Sequence, residues 1–325
     1  MTRRYRFRQV DVFTDRPLLG NPLAVFPEAD GLSDDEMQAI AREMNLSETT
    51  FVLPPTDDGR RRQADYRVRI FMPHAELPFA GHPSIGTAWV LADDGRFALR
   101  APQTEVRQEL AIGVLPLLLR IERTGGSPRV GEIEMTQAQP DVIHRLASHE
   151  AAELATALGM ESSDLHWSAA ANDGVALPAV ISTGLRYLVL PVRSLELLSS
   201  VSHEHGAAAA RLAQSYGSDS AALMAAGNSG AIPDADVHAR VMVDPRTGIV
   251  EDPATGSAAG PICVFLGLAA GCRRQTQRVV IEQGVEVGRP SRLVAEVDFA
   301  VDGGPTAARV SGSTVAVAEG WLTLR

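Results

Sequence analysis

The sequence predicts a mixed α/β protein of two similar lobes, each with a sheet wrapped around one buried helix. Three observations support this fold. The pattern Glu-x-Pro-x-x-Gly occurs at residues 76–81 and again, at identical offsets, at 251–256. Each copy precedes a run of small and apolar residues without charge, and a helix that is apolar on every face is a buried helix. Short alternating segments, typical of strands, surround both runs.

Alternation, caps and turn residues predict the elements of the first half. Arg6–Phe13 alternates as a strand, and a second strand follows the turn at Gly20-Asn-Pro22. Ser33 is predicted to be a helix N-cap, since three acidic residues follow it and an apolar stripe runs from Met37 to Met44. The remaining predictions are strands at 23–26, 50–53 and 66–71, a hairpin loop at 57–63 and the first buried helix at about 83–91.

The second half follows the same style. The stretch at 124–131, with its glycines and proline, is the predicted linker, so the lobes are residues 1–125 and 126–312. Residues 313–325 are assigned to the first lobe, because two-lobed repeats often exchange their ends. Helices are predicted at 150–159, 204–215 and 261–270, and strands at 179–181, 187–192, 221–226, 237–243 and, in short pieces, from 278 to 325.

The composition is that of a globular protein, and it excludes several classes of function. The chain has 325 residues, 45% of them hydrophobic, and a net charge of −10, which argues against an extended nucleic-acid surface. It contains no lysine, which excludes a lysine Schiff base and a P-loop. No apolar run is long enough to span a bilayer, and the start does not resemble a signal peptide. We therefore expect a cytoplasmic protein without nucleic-acid or membrane partners.

The cysteines and histidines predict no metal site. Cys263 and Cys272 fit no common zinc spacing, and Cys263 is expected to pack inside the apolar helix. His74-Ala-Glu76 looks like half of a zinc-deaminase motif, but the second half, Pro-Cys-x-x-Cys, is missing. We expect His74 and Glu76 to serve loop structure or to support the residues that contact the substrate. The other histidines outside the Gly-rich turns are expected at the surface or at the edge of the core: His144, His149, His166, His203, His205 and His238.

Residues 255–257 form a candidate anion site. Helix N-termini offer backbone N–H groups and a positive dipole end. Thr255-Gly256-Ser257 adds hydroxyl donors and a glycine that lets a ligand approach the backbone. These features favour a small carboxylate-bearing substrate. The alternative is that both hydroxyls only cap the buried helix, and the sequence leaves both interpretations open.

Six further segments occur in order along essentially the whole chain. They are Asp11-Val-Phe-Thr, Gly20-Asn-Pro-Leu-Ala-Val-Phe26, Asn45-Leu-Ser-Glu-Thr, Pro78-Phe-Ala-Gly-His-Pro-Ser-Ile-Gly-Thr87, Glu251-Asp-Pro-Ala-Thr-Gly-Ser257 and Gln283-Gly to Gly288-Arg-Pro-Ser291. Together they resemble the phenazine-biosynthesis PhzF-like isomerase family. The resemblance implies an α/β (α+β) diaminopimelate epimerase-like fold. In that fold two pseudo-symmetric lobes each carry a β-barrel-like sheet around a central buried helix, with the site between them.

The resemblance also implies an activity. It is the cofactor-independent isomerisation of a small carboxylated, cyclic metabolite similar to trans-2,3-dihydro-3-hydroxyanthranilate, by a homodimer. Glu48 would move a proton between two ring carbons, while His82 and Asp252 would flank the substrate. Related epimerases use two cysteines as acid and base, but the matching turns here carry His82 and Asp252, which disfavours a thiol mechanism. The implied substrate-binding residues are Asn21, Gly81, Gly256 and Ser257, the last two at the carboxylate.

Glu48 also suits proton transfer on physical grounds. A carboxylate removed from water becomes more basic, so one group can take a proton and return it nearby. Two alternatives stay open. Glu48 can be a surface charge at a helix end, and the chain can be a binding or regulatory protein that turns nothing over, because a fold does not fix a reaction.

Overall fold

The structure is a computed structural model that describes residues 2–124, 127–168, 175–218, 220–243, 250–272 and 275–324. The chain divides into two units, Met1–Thr136 with Ser311–Arg325, and Gln137–Val310. The predicted boundary at residues 125 and 126 lies outside the described residues. The predicted linker at 124–131 is wrong, because Ser127–Thr136 is a strand that pairs antiparallel with the preceding strand from Thr124 onward.

The described part of the first unit has strands that surround one helix. Its elements are β1 (Arg3–Val12), β2 (Asn21–Phe26), α1 (Asp34–Met44), β3 (Glu48–Leu53), α2 (Asp57–Arg61), β4 (Tyr66–Phe71), β5 (Glu76–Leu77), α3 (Gly81–Asp93), β6 (Gln103–Leu110), β7 (Gly113–Thr124) and β8 (Ser127–Thr136). β1 and β2 are antiparallel, β2 and β3 are parallel, and β3 and β4 are antiparallel. β4 then runs parallel to β6, which continues antiparallel through β7 to β8.

Helix α3 is the centre of this unit. It contacts β1, β2, β3 and β4 and also β8, so the sheet curls around it. Every residue from Gly81 to Ala88 is buried, as expected for a helix without a polar face. The close approach needs Gly86, where a Cβ would lie 2.6 Å from Leu23 Cδ2. Thr87 Oγ1 and Thr50 Oγ1 share a buried hydrogen bond of 2.8 Å that joins α3 to β3.

The start of α1 confirms the predicted cap. Ser33 Oγ accepts a hydrogen bond of 3.3 Å from the Glu36 N–H, and the Glu36 carboxylate accepts one of 2.9 Å from the Ser33 N–H, which is a capping box. The helix ends at Asn45, whose φ of 50° and ψ of 38° are left-handed, and β3 begins three residues later. The hairpin loop predicted at 57–63 is wrong, because Thr56 caps the short helix α2 there.

The described part of the second unit is built in the same way around its own helix. Its elements are β9 (Asp141–Arg145), α4 (Ser148–Leu158), β10 (Trp167–Ser168), β11 (Val175–Ala176), β12 (Ala179–Ser182), β13 (Arg186–Pro191), α5 (Leu195–Ser200), α6 (His203–Ala213), β14 (Ser220–Ala226), β15 (Val237–Val243), β16 (Glu251–Asp252), α7 (Gly256–Ala269), β17 (Thr276–Gln283) and β18 (Ser291–Phe299). The last strand, β19 (Pro305–Leu324), begins in this unit and continues into the first unit from Ser311. Short 3-10 turns lie at Ser162–Asp164 and Gln214–Tyr216. Helix α7 contacts β12, β13, β14, β17 and β18.

The internal sequence repeat is a structural repeat. In the first unit β3 pairs antiparallel with β4, and β4 pairs antiparallel with β5 and parallel with β6. In the second unit β14, β15, β16 and β17 pair in the same senses. The two copies of Glu-x-Pro-x-x-Gly therefore form equivalent short strands, and both central helices begin at the glycine of the motif, Gly81 and Gly256. The predicted arrangement of two lobes with central helices is confirmed.

Helix α7 begins earlier than the sequence predicts. The sequence predicts its start at Pro261, where the polar turn ends, but the helix starts at Gly256 and contains that proline. Because proline has no N–H, the usual hydrogen bond to the Ser257 carbonyl is absent. One residue earlier, Gln137 Nε2 donates a hydrogen bond of 2.9 Å to the Gly256 carbonyl. The shift puts Gly256 and Ser257 inside the first helical turn.

The last strand completes the first unit. Residues from Thr314 to Leu324 of β19 pair antiparallel with β1, and Arg3 lies opposite Leu324. Trp321, which is exposed, packs under the Arg4 guanidinium. In the part of the chain that the structure describes, no helix is both long enough and apolar enough to cross a membrane.

Candidate active site

In the first unit, the structure brings Glu48 and His82 together. Glu48 is the first residue of β3 and His82 is the second residue of α3. The distance between Glu48 Oε2 and His82 Nε2 is 3.4 Å, and the two side chains are 15% and 6% exposed. Glu48 is therefore not the solvated surface charge of the alternative interpretation.

His82 is held as a neutral imidazole. Its burial lowers its pKa from 6.5 to about 3, because a charged ring loses its hydration there. The position near the N-terminus of α3 acts in the same direction, since the positive end of a helix disfavours a cation. A neutral imidazole has one donor and one acceptor nitrogen, so His82 can orient a carboxylate or a substrate without adding charge.

The start of α3 is fixed from both sides. Ala80 stands at the N-cap and gives the helix no side-chain cap, while Ser84 Oγ donates a hydrogen bond of 2.8 Å back to the Ala80 carbonyl. Before it, β5 is anchored by a bidentate pair in which Arg69 donates two hydrogen bonds of 2.7 Å to Glu76. Glu76 therefore lies in strand β5 and not in a loop, and its carboxylate supports that strand. His74 is exposed and precedes the strand.

Asn21 lies at the same end of the sheet as Glu48. The two are the first residues of the neighbouring parallel strands β2 and β3. Asn21 is fully buried, and its Oδ1 accepts a hydrogen bond of 3.2 Å from Ser47 Oγ. Asn21 therefore supports the residue that precedes Glu48. A role for Asn21 or Gly81 in substrate binding stays a prediction.

In the second unit, Gln283 fixes the turn that carries Asp252. Gln283 Nε2 donates to the Asp252 carbonyl at 2.7 Å and to Thr255 Oγ1 at 3.1 Å. Gln283 Oε1 accepts a hydrogen bond of 3.0 Å from the Thr255 N–H. Thr255 Oγ1 in turn donates to Asp252 Oδ2. Gln283 stands in the last of the six segments of the resemblance, but the letters of that segment indicate no role for its side chain.

The hydroxyl groups at the start of α7 do not cap the helix. Thr255 stands at the N-cap position but makes no side-chain cap, because its hydroxyl bonds to Asp252 instead. Ser257 Oγ lies 2.6 Å from Tyr187 Oη, and both residues are buried. The interpretation of these hydroxyls as simple helix caps is therefore wrong. Tyr187 lies on a separate strand without a motif, so the sequence gives no signal for it.

Glu251 beside Asp252 belongs to a buried ion pair. Arg240 Nε and Nη2 donate to its two carboxylate oxygens at 3.0 and 2.7 Å. Arg240 Nη1 also donates to the carbonyls of Leu198 and Val201, at 3.1 and 2.7 Å. This geometry is bidentate and compensates for the loss of water around both charges. Glu251 thus fixes β16 rather than reacting with a substrate.

His238 is not at the edge of the core, so the expectation for this histidine is wrong. Its side chain is 1% exposed and lies between two carboxylates. Glu282 Oε2 is 2.5 Å from Nδ1, and Glu286 Oε1 is 2.9 Å from Nε2. Burial alone would lower the pKa of His238, but the hydrogen bonds and charges of Glu286 and Glu282 outweigh it and raise that pKa. The sequence hides this pairing, because the partners lie on another strand and its following turn.

The described residues contain no group of three or more His, Cys, Asp or Glu side chains that could hold a metal ion. Cys263 lies buried inside α7, and its burial raises the pKa of its thiol well above the ordinary value. Its sulfur faces the Gln277 and Ala295 carbonyls at 3.5 and 3.7 Å. Cys263 therefore packs, as predicted, and does not act as a thiol base.

Comparison with known proteins gives the family. A family model described as phenazine biosynthesis-like protein, PhzC-PhzF, matches residues 10–320. The chain belongs to the PhzC-PhzF family. A curated relative from Pseudomonas aeruginosa, named trans-2,3-dihydro-3-hydroxyanthranilate isomerase, is 38% identical over 97% of this chain and 98% of its own length. The resemblance seen in the sequence is confirmed, and the chain is an isomerase.

Solved structures give the same result for the fold. The crystal structure of a PhzF-family phenazine biosynthesis protein from Bacillus anthracis superposes with a TM-score of 0.80 at 25% identity and covers 98% of this chain and 99% of its own. A hydroxyproline epimerase from Agrobacterium vitis has a TM-score of 0.62 at 14% identity, over 99% of this chain and 93% of its own, and shares the fold. The epimerase-like fold of this PhzF-family chain is thereby shown.

Proposed function

We propose that this isomerase shifts a proton within a small, cyclic, carboxylated metabolite of the trans-2,3-dihydro-3-hydroxyanthranilate type, without a cofactor. The observation that carries the proposal is the buried Glu48 carboxylate facing a neutral His82 at 3.4 Å. Curated relatives at 36–38% identity, named for this isomerisation, support the substrate class.

The proposed step needs one carboxylate. Glu48 takes a proton from a ring carbon, and the electrons of that C–H bond move to shift the ring double bond. The resulting carboxylic acid then returns a proton to a second ring carbon, so no atom is gained or lost. His82, which stays neutral, lies beside Glu48 and is proposed to orient the substrate by hydrogen bonding.

The start of α7 is proposed to bind the carboxylate of the same substrate. The first-turn N–H groups of Gly256 and Ser257 and the Ser257 hydroxyl are donors suited to an anion at a helix N-terminus. Asp252 is proposed to flank the substrate, because Gln283 and Thr255 hold its turn in place. An amino or hydroxyl substituent of the ring would be its partner.

The test is to add purified protein to trans-2,3-dihydro-3-hydroxyanthranilate and to follow the ultraviolet spectrum. We expect the substrate band to disappear with the wild type. The surface variant Glu28→Gln is the matched control for loss of the Glu48 carboxylate, since Glu28 is an exposed carboxylate in the same unit as Glu48. Glu28→Gln should be as active as the wild type. An unchanged spectrum with wild-type protein would contradict the proposed substrate.

The alternative of a binding protein without turnover gives a different result. Tight binding of the carboxylate, with no exchange of its carbon-bound hydrogens in D2O, would contradict catalysis. Exchange without net conversion would support the proposed proton transfer. It would also mean that the natural substrate is a different small carboxylate.

A further inference from the structure

We propose that Tyr187 is a positioning residue for substrate binding: its phenol donates to Ser257 Oγ and thereby directs the Ser257 hydroxyl proton toward the substrate carboxylate. This inference rests on the proposed function, which assigns Ser257 to the carboxylate. It adds Tyr187, on strand β13, as the residue that sets the direction in which the Ser257 hydroxyl donates.

The geometry of the pair is tight. Tyr187 Oη and Ser257 Oγ are 2.6 Å apart, and the two residues are 6% and 8% exposed. Tyr187 is held on both sides, opposite Ile181 of β12 and Ser220 of β14. Because β13 also packs against α7, the phenol is rigidly aimed at the first turn of the helix.

Hydrogen-bond counting and acidity favour Tyr187 as the donor of the pair. A serine hydroxyl has one proton and two lone pairs. If Ser257 donated that proton to Tyr187, its lone pairs would face the bound anion and repel it. If Tyr187 donates instead, Ser257 keeps its proton for the carboxylate. A phenol has a pKa of about 10 and is a far stronger acid than an aliphatic alcohol, so it is the better donor of the pair.

The other polar groups at the start of α7 are already hydrogen-bonded or fixed in direction, and the Ser257 hydroxyl is the donor that can rotate. The Thr255 N–H is committed to Gln283 Oε1 at 3.0 Å, and the Thr255 hydroxyl is committed to Asp252. The Gly256 carbonyl accepts from Gln137 Nε2 at 2.9 Å. The backbone N–H groups of Gly256 and Ser257 have fixed directions, whereas the Ser257 hydroxyl can rotate, and Tyr187 restrains it.

The experiment measures binding of two probes by calorimetry, 2-aminobenzoate and the neutral 2-aminobenzamide, to wild type and to Tyr187→Phe. We expect Tyr187→Phe to weaken binding of the carboxylate about tenfold, as for loss of a hydrogen bond that supports a charged group, with little change for the amide. Turnover should show a raised KM with kcat nearly unchanged. Tyr66→Phe, which removes a buried phenol in the other unit, should leave both affinities unchanged.

A mutant cycle separates this role from simple packing. Ser257→Ala should lose as much carboxylate affinity as Tyr187→Phe, and the double variant should lose little more, because the two hydroxyls act as one unit. Additive losses would overturn the proposal. Unchanged or tighter carboxylate binding by Tyr187→Phe would also overturn it, since it would mean that Ser257 donates to Tyr187.

An isosteric variant keeps the test valid if Tyr187→Phe does not fold. Replacement of tyrosine by 3-fluorotyrosine makes the phenol a stronger donor, so carboxylate binding should tighten in wild type; unchanged or weaker binding would contradict the proposal.

Failure of the proposed function gives a different pattern. If Glu48→Gln stays active while Tyr187→Phe loses carboxylate affinity, the general base is wrong and the Tyr187 role stands. If the wild type does not bind the carboxylate probe, the anion site and this proposal are both wrong.

Discussion

The Nε2 atom of His82 lies 3.4 Å from the Oε2 atom of Glu48, with both side chains removed from bulk water. The contact joins the first residue of a strand to the first turn of the central helix that this strand packs against. Each element is fixed by other bonds, at Thr50 and Thr87 and at Ala80 and Ser84. The pair is therefore held by the core of the unit rather than by a mobile loop.

His82 should stay neutral far below the pH at which histidines usually titrate. Its burial lowers its pKa to about 3, so its imidazole nitrogens should show no protonation between pH 7 and 5 in an NMR titration with ¹⁵N-labelled histidine. The carboxylate of Glu48 acts in the opposite direction, since a negative charge favours the imidazolium. Titration of His82 at or above pH 6.5 would mean that Glu48 outweighs burial.

The same shift predicts a stability effect. The unfolded state takes up the proton near pH 6.5, whereas the folded state does so only near 3. Relative to His82→Gln, the wild type should therefore lose stability as pH falls through this window, by about 1.4 kcal/mol per pH unit. Urea unfolding of both proteins at several pH values measures how the difference in their unfolding free energy depends on pH. A constant difference between them would contradict the lowered pKa.

Glu251→Gln should strongly destabilise the protein. It removes the bidentate carboxylate partner of the buried Arg240 guanidinium and leaves only Glu286, at 3.9 Å, and breaking a buried pair in this way costs roughly 3–5 kcal/mol. Glu28→Gln breaks the exposed contact with Arg96, at 3.5 Å, and should cost less than about 1 kcal/mol. Chemical denaturation compares the two. If Glu251→Gln and Glu28→Gln lower the unfolding free energy by the same small amount, then Arg240 and Glu251 do not hold the turn of Asp252.

His238 should stabilise the fold most at mildly acidic pH. Its pKa is raised above 6.5, while the pKa values of Glu282 and Glu286 are lowered below 4.5. Arg240 Nε faces the same cluster, 3.9 Å from Glu286 Oε2. The histidine contribution is complete below pH 6.5 and is lost as pH rises through its raised folded pKa. The carboxylate contribution is complete above pH 4.5 and is lost as pH falls below it.

The variant His238→Gln tests this window. The difference in unfolding free energy between wild type and His238→Gln should be largest between about pH 4.5 and 6.5 and should shrink in alkaline solution. His144→Gln is the control, since His144 pairs with Glu150 at an exposed site and should show a small difference at every pH. A wild-type advantage that grows with pH would contradict the raised pKa of His238.

The sequence predicts the architecture because its signals are local. The repeat at 76–81 and 251–256 and the two uncharged helices determine where each lobe folds, and Ser33 with Glu36 marks a helix start from two residues. The sequence does not reveal the start of α7, because Pro261 resembles a helix boundary whereas the helix begins at Gly256 and contains that proline.

The site could be predicted only in part for the same reason. Glu48 and His82 lie in motifs, so their candidacy can be seen in the letters. Several other residues make hydrogen bonds between strands that meet only after folding: Tyr187, Gln283 and the partners of His238. Hydrogen bonds between residues far apart in the chain produce no periodic pattern in a single sequence. Glu251 shows this limit clearly, because the letters of its motif do not reveal that its carboxylate is paired with Arg240.

The proton-transferring role of Glu48 is tested most directly by reaction in D2O. Wild type, Glu48→Gln and Glu28→Gln are incubated with trans-2,3-dihydro-3-hydroxyanthranilate, and mass spectrometry follows deuterium in the carbon-bound positions. Glu48→Gln should keep the fold by circular dichroism but lose conversion and deuterium uptake by at least 100-fold, while Glu28→Gln behaves as wild type. Conversion and uptake by Glu48→Gln at the wild-type rate would show that another group moves the proton.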